Sequence, residues 1–450
     1  MTGGGPVDSG IVPGNRWDLV GDARPAMPPR VSVIVAHYDQ PDELARTLAA
    51  LAAQDHPADR LEIIVADDGS PHPVSVPAGV RVVRQEDRGF RLAAVRNLGV
   101  RASTGDILCF LDADTAPEPG YISALTRLPA LLPDAVTVGR RRHAELAGVP
   151  VQTPVVEAVR GRELAEPAWL ADAYARSRNL LDADDRSYRY VIGAVIACSR
   201  RLFDDVGGFD ESFTAYGGED WEWVHRAWQA GAVLAHVPDA VAWHDGPEWA
   251  GREGSDRERA NAQTLRLAAS VPVSGSAGFG VRRSVPDLAV RLAGEHSDAA
   301  LFVCVDSILA AFPHAVVVLD AEPAVEALRA DARVRVRVRG GGSLGGVGES
   351  EGGGVNARVT WTLERPMLID DAAGLAECLA ALGSGEVGTI EVESGGGVMR
   401  SRRAERRAAR SGTEDGFTSV RRRVAGIHPL RPDPHVEAYV GGWGSLDAFV

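Results

Sequence analysis

The 450-residue chain carries 62 acidic and 48 basic residues, a formal net charge of −14, with 45% hydrophobic and 24% charged residues. This is the composition of a soluble globular chain with room for two or three domains, and its acidity excludes a nucleic-acid coat, whose phosphate-tracking face is basic. Four cysteines, Cys109, Cys198, Cys304 and Cys378, lie far apart without a C-x-x-C pair, which excludes a disulfide framework or a zinc knuckle and fits a reducing cytoplasm. No basic segment followed by an apolar run opens the chain and no run of about eighteen apolar residues occurs, so neither export nor membrane spanning is expected.

Residues 1–30 are rich in Gly and Pro without a period and read as a mobile leader. Val31–Ala36 is a β-branched strand, and Pro41 then opens a helix with Leu44, Leu48, Leu51 and Ala52 on one face. A second strand follows at Leu61–Ala66, and strand-like runs at Val80–Arg84 and Ile107–Leu111 flank a helical stretch over Arg91–Ala102. Continuous apolar strands alternating with helices predict an α/β domain over 31–270 with a mostly parallel sheet covered on both faces. Ligands of such sheets bind beyond the carboxyl ends of the strands.

From about 271 the texture changes, with glycine-rich interruptions at SGSAGFG and over 340–354. Residues 271–450 are expected to form a second α/β domain. In it Ser307–Asp320 echoes 47–67 and Arg333–Arg337 echoes Val80–Arg84, the pattern of a degenerate second copy without an acidic D-x-D pair.

Three strand ends place acidic groups at the predicted rim of the first sheet, beginning with His37-Tyr38-Asp39 after the first strand. Asp112 and Asp114 sit two apart at a strand end, where period two puts both carboxylates on one side and two like charges call for a hard divalent cation. Asp67 and Asp68 end the second strand, where a carboxylate can accept from a nucleobase imide or a ribose hydroxyl. Arg88, Arg91 and Arg96 lie between these motifs, and guanidinium groups suit phosphate oxygens. Further on, Gly217-Gly218-Glu219-Asp220 precedes a helix expected to begin at Trp221. A carboxylate there can cap the helix or act as a general base toward an acceptor hydroxyl, with Glu219 hydrogen-bonded to the acceptor. Trp221, Trp223, Trp228, Trp243 and Trp249 crowd this stretch, and indole faces suit sugar C–H faces as well as a core. His244, after the strand-like Ala240–Trp243, could complete a metal's protein ligands beside Asp114.

The ordered runs VSVIVAHYDQPDEL, EIIVADDGS, QEDRGFRLAAVRNLG, ILCFLDADTAPEPGY and GGFDESFTAYGGEDWEW resemble the family 2 glycosyltransferases of GT-A fold. Within them the chain is most similar to bacterial chondroitin-polymerase-type and β-1,4-galactosyltransferase-like catalytic domains. The resemblance covers roughly 30–250 and implies inverting transfer of a sugar from a nucleotide-sugar, a UDP-sugar by preference, to a glycan or lipid-linked acceptor. It implies that Tyr38, Asp67, Asp68 and Arg96 hold the nucleotide, Asp112 the ribose side, and Asp114 with His244 a Mn²⁺ (or Mg²⁺). Asp220 would be the base, with Glu219 and Trp221 at the acceptor. The chain departs from many relatives in carrying Tyr216 where they have a tryptophan before GGED and Gly193-Ala194 in place of an asparagine, which changes the acceptor or sugar pocket. The alternatives are a catalytically silent carbohydrate-binding or scaffold relative and a nucleotidyltransferase, although the latter would want a basic, glycine-rich phosphate loop that the chain lacks after Val31.

The tail offers neither D-x-D nor GGED, which predicts a single transfer activity. Arg400, Arg402, Arg403, Arg406, Arg407 and Arg410, reinforced by Arg421–Arg423, form a basic stretch that reads as a solvated helix or as a peripheral contact with anionic lipid. The expected location is accordingly the cytoplasm, or the inner face of the membrane.

Overall fold

The computed structural model describes residues 10–247, 256–278, 281, 284–337, 355–393, 395–412 and 416–450. The chain divides into two compact units, Met1–Leu267 and Ala268–Val450. Among the described residues no helix is long and apolar enough to cross a membrane, and the four cysteines are free and buried.

The first unit is built on β1 (Val31–His37), α1 (Pro41–Ala52), β2 (Leu61–Asp67), β3 (Arg81–Arg84), α2 (Leu92–Ala102), β4 (Ile107–Asp112), β5 (Thr115–Pro117), α3 (Tyr121–Leu131) and β6 (Ala135–Ala144). It continues through α4 (Val155–Ala158), β7 (Glu163–Leu164), α5 (Ala168–Arg176), β8 (Val195–Ser199), α6 (Arg200–Val206), α7 (Glu219–Gln229), β9 (Val233–Asp245) and α8 (Asp256–Ser270). The strand order is β3-β2-β1-β4-β8-β6-β9-β5, with β7 paired to β6. β3, β2, β1 and β4 are parallel, as the continuous apolar runs predict, whereas β8 enters antiparallel to both β4 and β6. The sheet is therefore mixed, parallel from β3 to β4 and mixed beyond β4. Every residue of β1 is buried, the condition of a strand covered on both faces.

Two features of this sheet bring the site together. β6 and β9 run parallel with a register shift between Gly139 and Arg140, where the partner jumps from Val237 to Val241. Beyond that bulge β9 pairs antiparallel with β5, placing His244 opposite Thr115 and thus next to Asp114. At the end of β2, Gly69 adopts φ +88°, and a Cβ there would lie 2.4 Å from the Asp87 backbone nitrogen, so only glycine lets the turn after β2 touch the loop before α2.

The leader expectation is corrected from residue 10 onward, residues 1–9 lying outside the described set. Asn15 is buried, donates to the carbonyls of Leu180 (2.6 Å) and Leu234 (2.9 Å), and accepts from the Leu234 N–H (2.8 Å). Val12 and Val20 join the core beside Leu128, Leu132 and Val233. This segment is tied down by backbone groups that would otherwise lie buried without partners.

The second unit comprises β10 (Leu288–Leu292), α9 (Asp298–Ala311), β11 (Val316–Leu319), α10 (Glu326–Ala330), β12 (Val334–Val336), β13 (Val359–Leu363), β14 (Met367–Ile369), α11 (Ala373–Leu382), β15 (Val387–Val392), β16 (Val398–Ser401), α12 (Arg402–Ser411), β17 (Thr418–Arg422), β18 (Ile427–Pro429) and α13 (Val436–Gly441). Seven strands form one sheet in the order β12-β11-β10-β13-β16-β15-β17, and β14 pairs with β18. Its core centres on Val290, Val317, Trp361, Met399 and Ile390 with Val303, Ile308 and Leu375 from the covering helices. The glycine-rich 340–354 lies outside the described residues. The continuous basic face expected over Arg400–Arg423 is not formed: Arg403 and Arg407 are buried with their guanidinium groups 4.9 and 5.1 Å from the Phe417 ring centre, and Arg421 pairs with Glu391. Arginine stems pack well against apolar surface, and here two of them serve as core.

Replacing Asn15 with Ala removes three hydrogen bonds to buried backbone and is expected to lower the unfolding free energy by about 2–3 kcal/mol, measured by urea denaturation.

Candidate active site

A cavity of about 420 Å³ opens at the carboxyl ends of the parallel strands, lined among others by Tyr38, Asp68, Asp112, Asp114, Arg141 and His244. Five residues expected from sequence, Tyr38, Asp68, Asp112, Asp114 and His244, thus converge on one cavity. Five others, Asp67, Arg96, Glu219, Asp220 and Trp221, do not line it. Asp67, Arg96 and Glu219 are 0%, 1% and 4% exposed, so none offers a ligand a surface. Asp220 stands nearby at the start of α7.

Asp67 and Asp68 take opposite jobs. Asp67 faces inward, with His37 Nδ1 3.0 Å from its Oδ1, the Ser70 hydroxyl bonded to the same oxygen and the Ser70 N–H donating to Oδ2 at 3.2 Å. It holds the turn that begins the rim and is no nucleotide contact. Asp68 faces the cavity, accepts from the Gln85 amide and from the Arg91 N–H (2.9 Å), and burial pushes its carboxyl above the ordinary value. Exposed Tyr38 reaches Asp87 at 3.4 Å across the mouth.

Asp114 Oδ2 lies 3.5 Å from His244 Nε2, close enough for both to ligate one ion. His244 Nδ1 is 3.3 Å from the Gly246 carbonyl, which can only accept, so the tautomer assigned from this contact carries its proton on Nδ1 and leaves the Nε2 lone pair toward Asp114. Burial holds the His244 pKa below its ordinary value despite the Asp114 charge, favouring the neutral form that binds metal. Among the described residues no three His, Cys, Asp or Glu side chains form a metal cage. Two protein ligands with the remaining positions left to diphosphate oxygens is the arrangement a hard cation uses in nucleotide sites. The donor set fits Mn²⁺ or Mg²⁺.

The Glu219–Asp220 end of the site is organised by Arg96. Its Nη2 donates to Asp112 Oδ1 (2.7 Å) and its Nη1 to Glu219 Oε1 (2.9 Å), so one guanidinium joins the cavity wall to α7. α7 begins at Glu219, two residues earlier than expected, with Gly218 as its N-cap at φ 95° and no side-chain cap. Asp220 is therefore not a helix cap. Its Oδ2 accepts instead from the Gly193 N–H at 2.8 Å, and Gly193 has no room for a side chain, since a Cβ would lie 2.9 Å from both Arg96 Nη1 and Asp220 Cβ. Burial raises the Asp220 carboxyl above its usual range, against the Gly193 hydrogen bond and the Arg96 charge, which lower it. Glu219 is raised by burial and then by the neighbouring Asp220 charge, and its Oε2 has no hydrogen-bond partner among the described residues. Its expected contact with an acceptor is replaced by the ion pair with Arg96.

Of the tryptophans, Trp223, Trp228 and Trp243 are core, Trp221 is half-buried with its ring 6.2 Å from Tyr188, and Trp249 lies outside the described residues. Sequence inspection passed over Gln40, Asp87, Phe90 and Arg141, all lining the cavity. Arg141 carried a usable signal, as the middle of three arginines on β6, where period two turns it away from Arg140 and Arg142. Phe90 and Tyr216, 5.6 Å apart at the mouth, come from loops with no periodicity to betray them.

A mixed sheet of this order, with a cavity at the parallel strand ends and an acidic pair beside it, defines the first unit as a GT-A type of domain. Residues 32–164 match the glycosyl transferase family 2 profile and 181–242 a profile described as the N-terminal domain of galactosyltransferase, so the chain carries a family 2 glycosyltransferase domain. It is 29% identical over 261 residues to a chondroitin synthase of Escherichia coli, an alignment covering 53% of this chain and 38% of that protein. It is also 32% identical over 217 residues to the validoxylamine A glucosyltransferase of Streptomyces hygroscopicus subsp. jinggangensis (strain 5008), covering 44% of this chain and 51% of that one. The chain therefore spans only about two fifths to a half of the length of these relatives. Among solved structures it is similar to a mannosyltransferase from Pyrobaculum calidifontis in complex with GDP-Man and Mn²⁺, at TM-score 0.37 and 22% identity, covering 57% of this chain and 66% of that one.

Replacing Arg96 with Met leaves Glu219 buried without its cation and is expected to destabilise the fold by about 3–5 kcal/mol, read from the denaturant midpoint.

Proposed function

We propose that the chain is an inverting, metal-dependent glycosyltransferase that moves a sugar from a nucleotide-sugar, a UDP-sugar in the first instance, to a hydroxyl of a glycan or lipid-linked acceptor. The observation that carries this is the pairing of Asp114 and His244 in the cavity, with a base-like carboxylate, Asp220, held nearby by the Gly193 N–H.

In this reading Asp68 and Tyr38 hold the nucleoside and Asp112 its ribose side. Arg141, among the residues lining the cavity with Asp114 and His244, is placed to oppose diphosphate charge. Asp114 and His244 would hold a divalent cation, which when bound would supply positive charge to offset what develops on the leaving diphosphate. Asp220 takes the proton of the acceptor hydroxyl as its oxygen bonds the anomeric carbon, and the bond from that carbon to the diphosphate oxygen breaks. A single displacement inverts that carbon. The raised Asp220 pKa makes it a better proton acceptor than an exposed carboxylate, provided it is ionised.

The deciding experiment follows nucleotide release from a panel of UDP-, GDP- and dTDP-sugars with and without Mn²⁺. Metal-dependent release of one nucleotide, reduced roughly 10²–10⁴-fold in Asp220→Asn with donor affinity retained, is the expected outcome. Release that ignores both the metal and Asp220 would remove the proposal. The sign of the pH dependence follows from the raised pKa: the active, ionised base is lost as pH falls through it. The acid limb of kcat/KM is therefore expected above the ordinary carboxylate value of about 4, measured from pH 4 to 9.

A further inference from the structure

The sheet of the second unit repeats that of the first strand for strand. β3-β2-β1-β4-β8-β6-β9 and β12-β11-β10-β13-β16-β15-β17 are the same order if β1 to β4 stand for β10 to β13, β6 for β15, β8 for β16 and β9 for β17. The directions repeat as well. The first four strands are mutually parallel in each sheet, the next is antiparallel to both its neighbours, and the last pair is parallel. The small outer pair is kept too, β5 with the end of β9 in one unit and β14 with β18 in the other. The bulge that bends β9 has widened into a break between β17 and β18.

The pairings also align the residues. Ile107 faces Ser199, the N-cap of α6, and Val359 faces Ser401, the N-cap of α12. The backbone bond from Arg200 N–H to the Asp106 carbonyl recurs from Arg402 N–H to the Arg358 carbonyl. β5 begins at 115 after β4 at 107, and β14 at 367 after β13 at 359. In this frame Asp112 corresponds to Glu364 and Asp114 to Pro366. Thr115 pairs with His244 and Met367 with Pro429, so His244 corresponds to Pro429. Val35 pairs with Val65, and Leu292 with Leu319, so Asp67 and Asp68 correspond to Ala321 and Glu322. Between β8 and β9 the first unit holds α6, a loop and α7 with Glu219 and Asp220, whereas α12 alone occupies the shorter interval between β16 and β17.

We infer that residues 268–450 are a second copy of the transferase architecture from which the metal ligands and the α7 helix have been lost, so that the chain holds one transfer centre. A proline side chain has no donor atom for a metal, and both ligand positions are proline. Among the described residues no helix follows α12 before β17, so the place of α7 is not filled.

The inference rests on the proposed function of the first unit, and one experiment separates the two. The intact chain is titrated with Mn²⁺ in the presence of UDP, with bound metal counted by electron paramagnetic resonance, and assayed with the same donor panel. Asp114→Asn/Asp220→Asn is treated alongside, its fold checked by thermal unfolding. One Mn²⁺ per chain and one donor activity, both absent from the double variant, is the expected result. A Mn²⁺ site or release from any donor that survives in the folded double variant places a second centre elsewhere and overturns the inference, leaving the first unit's function standing. An intact chain that binds no Mn²⁺ and releases no nucleotide overturns the proposed function and the count of one with it.

Discussion

One buried guanidinium holds the first unit's site together. Arg96 on α2 reaches Asp112 at the end of β4 and Glu219 at the start of α7, three elements that no local chain geometry would bring to one point. Its face also lies 5.6 Å from the Phe209 ring centre, which closes off water from that side. A fork-shaped cation can donate in two directions at once, which a lysine ammonium on a flexible stem does less selectively. Three carboxylates surround this one cation, so their charges are set against each other. Desolvation and mutual repulsion raise Glu219 and Asp220 while Arg96 restrains the rise. The reactivity of the proposed base is thus a property of the cluster.

Adjacent acidic residues in this site divide into an inward and an outward member. Asp67 is buried as the fixed point of a turn and Asp68 faces the cavity; Glu219 is buried on Arg96 while Asp220 hangs from the Gly193 amide. The inward carboxylates orient the backbone that presents the outward ones. The imidazoles show the same economy. His143 and His244 both direct Nδ1 to the single Gly246 carbonyl at 3.3 Å, so a turn of backbone orders two side chains.

The strands and the rim were legible because buried parallel strands are written as unbroken apolar runs, and the residues following such runs must sit at the sheet's edge. Tyr38, Asp68, Asp112 and Asp114 were reached in this way. What the pattern does not carry is whether a polar residue at that edge is later covered. Asp67, Arg96 and Glu219 look like surface groups until elements more than a hundred residues away, or a neighbouring turn, close over them. The same blindness applies to Arg403 and Arg407, whose spacing reads as a solvated stripe until Phe417 lies beneath it. The leader is the opposite case, since its low-complexity composition says nothing of a single Asn15 that supplies bonds to two buried carbonyls.

The bulge in β9 sets which way His244 points. Between Val237 and Val241 the chain runs out of register with β6, and Gly139 opposite tolerates this because a Cβ there would meet the Ala240 carbonyl at 2.7 Å. Side chains of a strand alternate between faces, so adding or losing one residue in 238–240 would turn the imidazole to the far side of the sheet without altering a single residue of the cavity. Selection at this point would therefore act on length more than on identity: homologous chains could exchange the exposed Pro238 and Asp239 freely, yet an indel of one there would mark a lineage whose histidine no longer faces the cavity.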